Sequence, residues 1–123
     1  MKRFFQLSFS VLFLAAVLGG AVSCCHKTDK QMIRINVMIQ TTPENRAQLL
    51  DNLLELAEKS RAEQGCIDYE ILENSRDSLR FMILETWENQ EVLSAHQQSE
   101  HFTRIIPLNK ELIANQTSNY FNF

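Results

Sequence analysis

The sequence predicts an α+β domain of the ferredoxin-like, split β-α-β type: a four-stranded antiparallel sheet with its helices on one face. Three observations predict it. Apolar segments with period two, at residues 32–40 and 66–73, flank a segment with helical periodicity. A short polar turn, Asn74 to Asp77, joins two strand segments as a hairpin. A second helical region, Gln90 to about Ala114, separates that hairpin from a weakly alternating run, Thr117 to Phe123. The order is β-α-β-β-α-β.

Each element follows from its residues. In the first strand Ile33, Ile35, Val37 and Ile39 take one face, and Arg34, Asn36, Met38 and Gln40 the other. Thr42-Pro43-Glu44 starts a helix, with Thr42 as cap and Pro43 in the first turn, where its missing N–H costs nothing. Leu49, Leu50, Leu53, Leu54, Leu56 and Ala57 form its apolar arc, opposite Asp51, Asn52, Glu55, Glu58 and Lys59. Gly65 ends the helix. The second strand, Cys66 to Glu73, sorts Ile67, Tyr69 and Ile71 from Asp68, Glu70 and Leu72. The third, Ser78 to Glu88, sorts Phe81, Ile83, Glu85 and Trp87 from Arg80, Met82, Leu84 and Thr86. Asn89 caps the next helix, with Glu91 at its electropositive end, and Ser99 caps another that opens Glu100-His101-Phe102. Pro107 predicts a kink or restart. The helices cover one face of the sheet. The other face carries Ile33, Ile35, Val37 and Ile39, a large apolar patch that a second copy, packed sheet against sheet, closes as a homodimeric α+β barrel.

Ahead of the domain (32–123), Met1-Lys2-Arg3 is a basic start, Phe4 to Leu18 an uncharged apolar run, and Ala21-Val22-Ser23 a set of small residues before Cys24. This pattern predicts an export signal over residues 1–23 and a polar tether over 24–31. Small residues followed directly by Cys resemble a bacterial lipobox, which implies cleavage before Cys24 and its lipidation; Ala21 stands where that motif usually has Leu. An ordinary signal peptidase would accept the same residues. The mature chain then carries about five more acidic than basic residues. It has no basic run, so nucleic acid is not an expected partner, and membrane contact is expected only through a lipid on Cys24. Cys24, Cys25 and Cys66 are the only cysteines, and there is no Cys-x-x-Cys. A Cys25–Cys66 disulfide and a small buried thiol at a strand start are both open for Cys66.

Several spaced motifs occur in order: Glu63-Gln64-Gly65-Cys66, Tyr69-Glu70, an apolar strand ending Glu85-Thr86-Trp87, and Ala95-His96-Gln97-Gln98-Ser99-Glu100-His101-Phe102. Together they resemble the antibiotic biosynthesis monooxygenase (ABM) family over Met32 to Phe123. The resemblance implies the dimeric α+β barrel and a quinol-monooxygenase-like activity. That activity oxidises a small phenol or quinol with O2, using no metal and no other cofactor. It implies a pocket between sheet and helices, lined by residues in the positions of Asn36, Tyr69, Trp87 and His96. Within the same family, haem-degrading relatives place a haem-ligating histidine near Ile106, which counts against that activity here. Isomerase-type relatives share the His-x-x-x-x-His segment; one of them processes a phosphorylated signal molecule. A phosphorylated substrate would need cationic residues, for which only Arg34, Arg80 and Arg104 are available, and an export signal argues against a cytosolic substrate.

The candidate catalytic residues are therefore His96, Trp87 and Asn36, and the candidate substrate-binding residues are Tyr69, Glu85 and His101. Each also has a structural explanation. Trp87 and Tyr69 suit a core. Asn36 is either a satisfied amide or a pocket donor. Glu85 among Ile83 and Trp87 is costly unless paired, which makes it the hardest to assign to packing alone. His96 and His101, five residues apart, lie on different arcs of one helix, but a break near Ser99 would bring them together. They serve equally as capping histidines or as a catalytic pair. A small-ligand binder without catalysis fits the same residues.

Overall fold

The computed structural model describes residues 31–123. The export signal, the lipidation site Cys24 and the tether up to Lys30 lie outside the described residues. Strands β1 (Ile33–Thr41), β2 (Cys66–Glu73), β3 (Arg80–Trp87) and β4 (Ile113–Asn122) form one antiparallel sheet in the order β2-β3-β1-β4. Helix α1 (Arg46–Arg61) links β1 to β2, while α2 (Gln90–Gln97) and α3 (Glu100–Leu112) link β3 to β4. The fold is the ferredoxin-like one, with its second helical region split in two. No described helix is long and apolar enough to cross a membrane.

Local chemistry explains the boundaries. The Asn89 side chain accepts from the Val92 N–H at 3.0 Å and Ser99 Oγ from the Phe102 N–H at 3.3 Å, so two adjacent caps divide the region into α2 and α3. Helix α3 runs on through Pro107; the carbonyl that loses its donor belongs to exposed Thr103, where water can replace it. Helix α1 begins later than Thr42 and Pro43 suggest. Residues 43–45 form a turn closed by Asn45 N–H to Thr42 O at 3.2 Å.

The register corrects one expectation. Ile33, Ile35, Val37 and Ile39 stand opposite Trp87, Glu85, Ile83 and Phe81, and this face lies beneath the helices. Ile33, Ile35 and Ile39 are buried in one core with Leu49, Leu53, Leu56, Phe81 and Ile105. The uncovered face is the other one, with Arg34, Asn36, Met38 and Gln40 of β1 beside Met82, Leu84 and Thr86 of β3. Period two divides a strand into faces but does not say which is covered. Two further residues point outward: Leu54 is exposed on α1, and Ile67 is exposed where a register shift between Cys66 and Asp68 drops it from the ladder.

Candidate active site

The last turn of β3 builds one wall. Its pleat puts Glu85 and Trp87 on the helix-covered face, where the Trp87 indole N–H donates to Glu85 Oε2 at 3.0 Å. Helix α2 lays His96 over this pair. The His96 and Trp87 rings stack at 4.3 Å between centroids and 29° between planes. Tyr69 of β2 meets His96 edge-on at 6.0 Å, and Phe102 of α3 does so at 4.9 Å. His96 is 1% exposed and Trp87 fully buried.

Beyond the C-terminus of α1, the Glu63 carboxylate reaches both histidines. Its Oε1 lies 2.7 Å from His96 Nδ1 and 2.7 Å from His101 Nε2, and Ser99 Oγ is 3.2 Å from the same His101 nitrogen. Nδ1 of His96 therefore donates to Glu63, and the neutral ring keeps its lone pair on Nε2. That Nε2 is buried with no hydrogen-bond partner among the described residues. Its nearest carboxylate is Glu85, whose Oε2 is 3.9 Å away. A cavity of about 160 Å³ opens here, lined by Ile35, Val37, Tyr69, Ile83, Glu85 and His96, among others. A larger concavity of about 460 Å³ lies around Gln40, Arg80 and Asn115 and contains none of these catalytic candidates.

Burial sets the protonation states. It pushes the Glu85 carboxyl up to about 7, with the Glu63 charge adding to the effect and the Trp87 N–H opposing it. It holds His96 below its ordinary value, helped by His101 and opposed by the hydrogen bond and charge of Glu63. It raises Tyr69, so the phenol stays protonated. It raises the Cys66 thiol to about 11, helped by the charges of Glu63 and Glu85, so Cys66 is a poor nucleophile. The site thus pairs a carboxylic acid with a neutral imidazole across one small, mostly apolar space, an arrangement suited to moving a proton.

Of the six residues singled out from sequence, Tyr69, Glu85, Trp87, His96 and His101 converge. Tyr69, Glu85 and His96 line the cavity, whereas Trp87, expected in its wall, lies behind His96 and His101 beside it, and neither lines the cavity. Asn36 does not converge with them. It lies between Leu84 and Asn119 on the uncovered face, and its Oδ1 is buried without a partner among the described residues. Arg34 and Arg80 bond Thr86 and Asp77, and Arg104 pairs with Glu55; none of the three lines the cavity. Sequence reasoning assigned Glu63 no role. Its one local signal is a carboxylate just past a helix C-terminus, where the helix dipole opposes negative charge. Glu63 Oε1, His96 Nδ1 and His101 Nε2 lie within 4.8 Å of one another, a donor set that also suits a zinc-like cation. At 2.7 Å to each imidazole, the carboxylate completes a hydrogen-bonded triad.

The fold and the pocket define a small α+β domain of the ferredoxin-like class, with an imidazole and a carboxyl group facing a small cavity between sheet and helices. The chain belongs to the antibiotic biosynthesis monooxygenase family, whose profile matches residues 32–108. It is 30% identical over 83 residues to the protein named "Putative monooxygenase YcnE" of Bacillus subtilis, covering 68% of this chain and 87% of that one. Among solved structures it resembles a conserved protein of unknown function from Bacteroides thetaiotaomicron, at 37% identity and a TM-score of 0.73, covering 76% of this chain and 99% of that one. It also resembles PA3566 of Pseudomonas aeruginosa, at 29% identity and a TM-score of 0.71, covering 76% and 94%.

Proposed function

We propose that the domain is a cofactor-independent monooxygenase that oxidises a monocyclic phenol or quinol with O2. The observation that carries this is the Nε2 of buried His96, unpartnered among the described residues, at a mostly apolar cavity that Tyr69 and Glu85 also line. A buried acceptor with no donor is costly, and a substrate hydroxyl would complete it. An apolar cavity of roughly 150 Å³ takes one benzene-sized ring, which sets the size class. Nε2 removes the hydroxyl proton. The resulting anion passes one electron to O2, and the two radicals join as a carbon-bound peroxide. The proton returns from His96 to that peroxide. Loss of water, taking the ring hydrogen of the same carbon, leaves a carbonyl: phenol plus O2 gives quinone plus water. Tyr69 walls the ring, Trp87 backs the His96 imidazole by stacking on it, and Glu85 is the second proton donor.

The test is O2 uptake with a series of monocyclic hydroquinones and phenols, read beside quinone absorbance. His96→Ala is expected to lower turnover at least about tenfold, the scale of general base catalysis. Unchanged turnover in this variant would refute the assignment. The acid–base pairing of Glu85 and His96 also favours an isomerase that shifts a proton without oxidation, for which product would form with no O2 consumed.

Two further features belong to this proposal. A homodimer is supported by the uncovered sheet face, which carries exposed Met38, Leu72 and Phe121 and the Asn36 amide oxygen, unpartnered among the described residues. Export with a lipid on Cys24 is supported by the pattern of residues 1–24.

A further inference from the structure

The proton transfer at Nε2 makes no direct use of Glu63 or His101. We propose that Glu63 is a positioning residue that holds His96 as the Nδ1–H tautomer and so directs a basic Nε2 into the cavity, with His101 anchoring the carboxylate. This rests on His96 being the base.

Groups face His96 from four directions: Tyr69 from β2, Glu85 and Trp87 from β3, His101 and Phe102 from α3, and Glu63 from the loop after α1. Only the two carboxylates can compete for the imidazole hydrogen. Glu63 is at hydrogen-bonding distance from Nδ1, 2.7 Å, whereas Glu85 is 3.9 Å from Nε2, beyond a direct bond. Glu63 therefore decides the tautomer. When Nε2 takes the substrate proton, the ring becomes an imidazolium whose Nδ1–H stays on Glu63, and the carboxylate charge offsets the new positive charge until the proton is returned.

The loop is shaped to deliver this carboxylate. Gly65 sits at φ 85°, and a Cβ there would lie 2.7 Å from both Val92 methyl groups of α2. The Glu88 N–H bonds Gly65 O at 3.0 Å, tying the loop to the end of β3. The second imidazole, His101, occupies the same Oε1 and restricts rotation of the carboxylate. Glu63 and His101 are partly exposed, with side chains 20% and 15% accessible, so either can be changed with less cost to the core than His96.

The experiment compares the full domain with Glu63→Gln and Glu63→Asp by ¹⁵N NMR of the histidine rings and by pH–rate profiles with a monocyclic hydroquinone. In the unaltered protein, Nδ1 of His96 should carry the hydrogen and Nε2 should not. Glu63→Gln keeps an acceptor but removes the charge. It should lower kcat at least about tenfold with KM changed less than about threefold, and move the acid limb to lower pH; Glu63→Asp should recover part of kcat. Hydrogen on Nε2 in the unaltered protein would overturn the proposal, as would an unmoved acid limb with full kcat in Glu63→Gln. An Nδ1–H tautomer that is lost in Glu63→Gln, in a protein that turns over no phenol or quinol, supports the positioning role and removes the oxygenase function.

Discussion

Replacing Glu85 with glutamine should make the domain's stability less dependent on pH. In the folded protein the Glu85 carboxyl is raised from 4.5 to about 7, chiefly by burial. A raised carboxyl binds its proton more tightly folded than unfolded. Stability is thus fully retained below about pH 4.5 and is lost as pH rises towards 7, while the unfolded chain ionises and the folded one does not. At about 1.4 kcal/mol per pH unit, that interval corresponds to a loss of roughly 3 kcal/mol. The Glu85→Gln protein has no such loss, and its amide carbonyl can still accept from the Trp87 indole N–H. Guanidinium denaturation of both proteins at pH 5, 6, 7 and 8 gives the difference directly. The variant should gain on the unaltered protein by about 2–3 kcal/mol between pH 5 and 8, with any fixed cost of the amide appearing as a constant offset. Parallel curves would mean that Glu85 ionises normally in the folded state. The cavity would then be wet, and the acid–base pairing with His96 would fail.

Other outcomes follow from single contacts. Gly65→Ala should cost about 2 kcal/mol or more in thermal or chemical denaturation, because it strains the backbone at φ 85° and meets the stiff Val92 side chain. Met38→Asp on the uncovered face should turn a sedimenting dimer into a folded monomer, while Ile35→Asp, in the core, should prevent folding, as judged by circular dichroism. A Met38→Asp protein that still sediments as a dimer would reject the sheet-face interface. Cys24→Ser should release the protein from membranes or block its processing, and unchanged fractionation would favour an ordinary signal peptidase.

Much of the domain was legible in the chain because its signals are local. The strands, the hairpin and the caps at Asn89 and Ser99 each depend on residues within one turn or one pleat, and all appear in the fold. The convergence of Tyr69, Glu85, Trp87 and His96 was legible because amphipathic and ionisable residues interrupt apolar faces, where they are costly without a purpose. Three things were decided only by tertiary packing. The covered face of β1 depends on the side to which α1 and α3 cross, and an alternating strand reads the same for either side. Asn36 consequently lies across the sheet from the site that its residue type suggested. Glu63 meets His96 and His101 across 33 and 38 residues, after α1, β2, β3 and α2 have folded back on one another, so no local spacing links them. The residue types and their periods are written along the chain; the distances that set the His96 imidazole between Glu63 and the cavity exist only once the sheet and helices close around it.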